Sequence, residues 1–215
     1  MILLARFFVA VMAMVAVVAA SNFLVQFPVQ AEFGGINLAD LLTWGAFTYP
    51  MAFLVTDLTN RHFGANGARL VVLAGFTLAV IWSIFLASPR IAIASGSAFL
   101  LAQFLDVSIF NRLRAAKWWQ APLVSSVAGS VLDTVLFFGI AFSARFAFID
   151  TGFGMEDSSL AFAVPFLGVG GDVPLWVSLA SGDFIVKIVV SLVLLAPYRV
   201  LRGMIADRVL HPAAG

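Results

Sequence analysis

The chain has no cysteine, which excludes disulfides, thiolate nucleophiles and cysteine-ligated metal sites. Its two histidines, His62 and His211, stand far apart and offer too few nitrogen ligands for an obvious transition-metal centre. Charge is scarce. Asp, Glu, Lys and Arg make up 11% of the 215 residues, against about 25% in a soluble domain. No HExxH or Walker sequence occurs, so the chain alone shows neither zinc hydrolysis nor ATP use. Gly96-Ser97 has no histidine on a neighbouring span to serve as its base. The net charge of +1 comes without a basic face interleaved with aromatics, so nucleic acid is not an expected partner. No metal or other cofactor is expected, and the chain does not read as an enzyme.

What is present is apolar. Hydrophobic residues reach 62% and mean hydropathy is +1.07, which puts the chain in the membrane class. A spanning helix needs about 20 predominantly apolar residues. Six segments qualify, at about 4–27, 38–61, 65–87, 91–113, 122–148 and 174–200. They predict an all-α membrane protein with six transmembrane helices in one bundle, a single domain over 1–215. The first segment runs on through Phe27, longer than a signal-peptide core, so it reads as an uncleaved span. Pro50 should kink or break the second. Between the fifth and sixth lies a glycine-rich link, 149–172, whose apolar stretch 160–166 would lie at the interface or re-enter.

Basic residues orient the bundle. Arg6, Arg61, Arg69, Arg112, Arg114, Lys117, Arg199, Arg202 and Arg208 fall on one side, and only Arg90 and Arg145 on the other. By the positive-inside rule the first side, with both termini, is cytoplasmic.

Ionisable residues within spans are costly and are functional candidates by default. In the fourth span Phe99, Gln103, Asp106 and Phe110 follow i, i+4, i+7, i+11 and form one helical stripe. In the fifth, Ser126, Ser130, Asp133 and Phe137 do the same. Asp106 and Asp133 have no basic residue one turn away, so each requires a partner from another helix, a ligand or a proton. Asp57 and Arg61, and Asp183 and Lys187, are i, i+4 pairs suited either to ion pairing or to gating. Ser125 with Gly129, and Ser126 with Ser130, set a small-residue face that suits a homodimer and equally suits packing within one bundle. Trp118 and Trp119 follow the basic turn and read as interfacial aromatics.

Several stretches together resemble the queuosine precursor transporter family, also described as the vitamin-uptake transporter type. They are the run YPMAFLVTDLTNRHFG at 49–64, RIAIASG at 90–96, Leu105-Asp106 with FNRLR at 110–114, and Ser125-Ser126 with Asp133-Thr134 and Phe137-Phe138. The resemblance implies a six-helix protein of the bacterial inner membrane. It would import 7-deazaguanines, chiefly preQ0 and preQ1, for making queuosine in tRNA. It also implies a distant similarity to the membrane substrate-binding subunits of energy-coupling-factor transporters, without their ATPase module. A guanine-like edge presents N1–H and the 2-amino group side by side, which one carboxylate can accept together. Asp106 or Asp133 is the expected acceptor. Donors to O6 and N3 would come from Gln103, Asn111 or a serine, and an aromatic wall from Phe99, Phe110 or Phe137.

Three other readings compete: a carrier or ATP-complex binding subunit for another small vitamin or nucleobase, a non-transporting membrane scaffold, and an intramembrane hydrolase. The last draws on Gly170-Gly171-Asp172, which resembles an aspartyl-protease motif, but Val169 stands where its leading glycine should be.

Overall fold

A computed structural model describes residues 2–24, 27–34, 36–38 and 41–210. His211 lies outside the described residues, as do 25–26 and 39–40 within the expected first and second spans, and of Arg208 only the backbone is described. The long elements are helices: α1 (Ile2–Leu24), α3 (Met51–Leu86), α4 (Pro89–Leu113), α5 (Gln120–Phe142) and α7 (Leu175–Leu210), with two short ones, α2 (Gly45–Thr48) and α6 (Ala147–Gly152). Four short strands, β1 (Glu32–Phe33), β2 (Ile36–Asn37), β3 (Ala163–Pro165) and β4 (Asp172–Pro174), form two antiparallel ribbons outside the helical bundle.

Five helices among the described residues are long and apolar enough to cross a membrane, and one of the five runs from Gly45 to Ile81. That run joins the expected second and third spans. As a straight helix the 36 residues of α3 would reach about 54 Å, well beyond the roughly 30 Å of bilayer hydrocarbon. It is not straight. Gly64 sits at φ 77, ψ 176, a region open essentially to glycine alone, and it breaks the helix. Contacts on either side give the direction. Thr56 meets Gln103 and Asn60 meets Val107, so the first half runs parallel to α4. Gly75 packs on Phe99 and Phe76 on Gly96, so the second half runs antiparallel to it. The chain therefore doubles back at Gly64.

Other boundaries follow local chemistry. The second span was expected from Leu38. Instead Leu38 and 41–44 belong to the returning arm of a hairpin, with Val29 bonded to Leu42 and Pro28 bridged to Thr43, and helix begins at Gly45. Pro50 has no N–H to give, and helix stops at Thr48 and resumes at Met51, which sets Tyr49 at the break. Ser88 caps α4, accepting from the Ile91 N–H at 3.3 Å, with Pro89 in the first turn where a missing N–H is harmless. The fifth helix ends at Phe142 rather than Phe148, because Ser143 turns extended and its side chain accepts from Arg145 N–H. The link after it is not α-helical over 160–166. It folds into the β3–β4 ribbon, with Leu160 bonded to Phe142 and Trp176 to Leu160.

Helices α4 and α5 form the centre of the bundle. Gly129 lets them close up: a methyl group there would lie 2.7 Å from the Phe53 ring and 3.3 Å from the Ala102 carbonyl. The small-residue face of α5 is thus spent inside the chain. Outward positions such as Val135, Ile185, Val189 and Val193 are apolar and exposed, as a lipid-facing surface requires.

Candidate functional site

Buried polar residues gather along the inner faces of α3, α4, α5 and α7 in two layers. Ser125 and Asp133, one in each layer, are eight positions apart on α5, about 12 Å of rise.

The first layer is a carboxyl pair. Asp57 on α3 and Asp106 on α4 are 2% and 0% exposed and interact directly, with Ser125 of α5 against both. The Ser125 hydroxyl donates to Asp57 Oδ1 at 3.3 Å. Neither oxygen of Asp106 receives a well-formed hydrogen bond, although both are fully buried. No ion pair joins Asp57 or Asp106 to a basic group among the described residues. Gln103, one turn before Asp106, accepts from Thr56 at 2.6 Å, and its amide nitrogen is buried without a partner. Ser130 and Ser191 also bury hydroxyls without partners. Beside Asp57 lies a cavity of about 10 Å³, lined in part by Pro50, Ser126, Ser191 and Tyr198. It has room for about one water.

The second layer is an ion triad. Lys187 Nζ lies 2.6 Å from Asp133 and 2.5 Å from Asp183, and Thr134 donates to Asp183 at 3.1 Å. Tyr49 donates to the free oxygen of Asp133 at 2.8 Å, and its ring lies 5.2 Å from the ammonium. Two carboxylates share one cation, which leaves the triad one negative charge in excess.

Each end is latched. At one end Arg61 donates to the Arg114 carbonyl (2.8 Å) and to Tyr198 (3.3 Å), and Arg114 donates back to the Arg61 carbonyl (2.6 Å). Phe110 lies under the Arg61 guanidinium and edge-on to Tyr198. At the other end Arg90, wholly buried, donates to the carbonyls of Ile140 and Ser143 and to Asp150, Asp157 and Ser159. It ties α4 to the end of α5, to α6 and to the link. Burial pushes the Asp150 carboxyl up, but hydrogen bonds from Arg90 and Ser158 outweigh it and hold the group below the usual carboxylate range. Hydrogen bonds from Ser159 hold Asp157 low as well.

The expected residues divide accordingly. Asp106 and Gln103 share the first layer. Asp133 joins the second layer, where it finds its partner in Lys187, and the pair Asp183–Lys187 forms as spaced. Asp57 and Arg61 do not pair: Arg61 turns to the latch and Asp57 to Asp106. Ser130 is buried on α5 between the two layers. The aromatic residues form no common wall. Phe99 stacks edge-on against Tyr49, Phe110 belongs to the Arg61 latch, and Phe137 packs on Phe138 and Phe142. Sequence reasoning missed Tyr49, Thr56, Thr134, Ser191 and Tyr198 as members of the polar track. On α7 the spacing 187, 191, 194, 198 repeats the helical period and carried the signal for two of them.

The family model described as "Putative vitamin uptake transporter" matches residues 43–88 and 80–201. The "Queuosine precursor transporter" of Escherichia coli (strain K12) is 35% identical over 214 residues, 89% of this chain and 84% of that protein. The "Probable queuosine precursor transporter" of Haemophilus influenzae (strain ATCC 51907 / DSM 11121 / KW20 / Rd) is 33% identical over 208 residues, covering 84% and 79%. No solved structure matches the chain. The chain is thus a multi-pass membrane protein, and it belongs to the queuosine precursor transporter family of vitamin-uptake type.

Proposed function

We propose that this chain imports a queuosine precursor, a 7-deazaguanine of the preQ0 or preQ1 type, across a bacterial inner membrane. The names of its relatives support the cargo. The observation that carries the site is Asp106: a fully buried carboxyl on a spanning helix whose two oxygens both lack a well-formed hydrogen bond. A buried carboxylate that meets only a second carboxyl and a distant hydroxyl is poorly satisfied, and a guanine-like edge offers two parallel N–H donors at the spacing of its two oxygens. Asp133 is the weaker candidate, because Lys187 and Tyr49 already satisfy it. Its role is to hold α5 to α7.

The bundle has six spans on this reading, with the run from Gly45 to Ile81 counting as two because the chain reverses at Gly64. Both termini are cytoplasmic. The Arg61–Arg114 latch, with Arg199 over Trp118, then closes the cytoplasmic end, and Arg90 closes the opposite end. The cavity beside Asp57 has room for about one water, far less than a small-molecule pocket of about 300–1,000 Å³, so a base could enter this layer only if the helices part. Transport would open the two latches in turn.

The test is uptake of labelled preQ0 or preQ1 into liposomes holding the purified protein alone. Saturable uptake without ATP, lost in Asp106→Asn, is expected. Uptake that needs an added ATPase subunit, or none for any 7-deazaguanine, would refute the reading.

A further inference from the structure

The structure also points to how the base is told apart from its analogues: we propose that Gln103 reads the 6-oxo group and that Thr56 fixes the direction of its amide. This rests on the deazaguanine reading of the same site. Gln103 and Asp106 are three residues apart on α4, so they lie on one helical face. Both are wholly buried. The Gln103 amide nitrogen has no partner, and neither Asp106 oxygen has a well-formed hydrogen bond, although Asp57 and Ser125 lie against it. With Asp106 ionised, the face offers one donor followed by two acceptors. A guanine-like edge is the complement: an acceptor at O6, then donors at N1 and the 2-amino group. An adenine-like edge is not. Its 6-amino group would meet the Gln103 NH2, donor against donor.

That array depends on which way the amide faces, and Thr56 decides it. The Thr56 hydroxyl has one proton and two acceptors in reach, the Ala52 carbonyl at 3.0 Å and Gln103 Oε1 at 2.6 Å. The Ala52 carbonyl lies one turn back in α3, where the Thr56 N–H already bonds it. Gln103 Oε1 has no other donor among the contacts described. A separation of 2.6 Å is normal for O–H···O and short for an amide N–H···O. The proton therefore goes to Gln103 Oε1, and the NH2 faces away from Thr56 with nothing to bond. Thr56 is a positioning residue: it acts on the substrate only through Gln103.

The test compares binding of 7-deazaguanine with its 6-thio analogue, by calorimetry on the purified full-length protein. The analogue keeps N1–H and the 2-amino group and swaps O6 for a sulfur, which accepts a hydrogen bond weakly. The wild-type protein should favour the oxo form by about tenfold, the worth of one buried hydrogen bond. Gln103→Met should bring the ratio close to one. Thr56→Val has the shape of threonine but no hydroxyl, and it should lower the ratio too, whereas Thr56→Ser should keep it. Thermal melts check folding. If Gln103→Met does not fold, the Val and Ser pair at Thr56 decides alone. An oxo-to-thio ratio unchanged in Thr56→Val would overturn this assignment and leave the import reading standing. Failure of the wild-type protein to bind either analogue would overturn both.

Discussion

Replacing Lys187 with methionine should be among the most damaging single changes in the bundle. Lys187 is 3% exposed, and its ammonium lies within 2.6 Å of two carboxylates that are themselves nearly buried. Methionine keeps the unbranched stem as far as Cε and removes the ammonium, so packing changes little. What remains is Asp133 with only the Tyr49 hydroxyl and Asp183 with only Thr134. Breaking a buried ion pair from one side costs about 3–5 kcal/mol. For a chain of this size that is a fall in Tm of roughly 6–20 °C, at about 2–4 °C per kcal/mol. The double variant Lys187→Met with Asp183→Asn should recover part of the loss, because only Asp133 is then left stranded. Asp183→Asn alone should be mild, since Lys187 keeps Asp133 and the triad sheds its excess negative charge. The assay is thermal unfolding in detergent, followed by the loss of the monodisperse peak on size exclusion. A Lys187→Met protein that melts with the wild type, or a double variant worse than the single, would refute the triad as a source of stability.

Gly64→Ala should destabilise by about 1–3 kcal/mol through the backbone alone, since a methyl group there meets no atom within 4 Å while φ 77, ψ 176 is closed to alanine. Thermal unfolding checks it, and Gly139→Ala, also in open space but at an ordinary φ, is the control. The Arg90 latch should be sensitive to acid. Asp150 is held below its ordinary value, so its contribution is complete above about pH 4 and is lost as pH falls through the folded value. Hydrogen exchange over 143–172 should be flat from pH 8 to 5 after correction for intrinsic rates and rise below about pH 4. Asp150→Asn should abolish that rise. Arg61→Lys cannot reach both the Arg114 carbonyl and Tyr198 with one ammonium, so it should raise proteolysis at the 114–119 turn without a large change in Tm.

The sequence was informative where cost was concentrated. A carboxylate in a long apolar run needs a reason, and Asp106 and Asp133 are legible on that ground alone. The pair Asp183–Lys187 was legible from its spacing alone. Its third member was not, because Asp133 comes from another helix, and which helices adjoin is set by the packing of α5 on α7. Asp57 and Arg61 show the converse. Correct spacing did not make a pair, because Arg61 found one carbonyl and one hydroxyl acceptor across the bundle and Asp57 faced Asp106. Aromatic positions were the least legible. Phe99 and Phe110 lie on one stripe, but 11 residues is about 16 Å of helix, too far to face one ring. The doubling back at Gly64 was written in the sequence as a short polar interval, Asn60 to Gly64, between two apolar runs.

We propose that this chain brings a queuosine precursor into the cell through a site built on Asp106. The most direct measurement is queuosine in the tRNA of a bacterium that can neither make nor import preQ0, supplied with preQ0 at low concentration and with this gene. Wild-type protein should restore queuosine, and Asp106→Asn, present in the membrane at the same level, should not. Restoration by Asp106→Asn equal to wild type would contradict the site, and no restoration with preQ0, preQ1 or queuine would contradict the cargo.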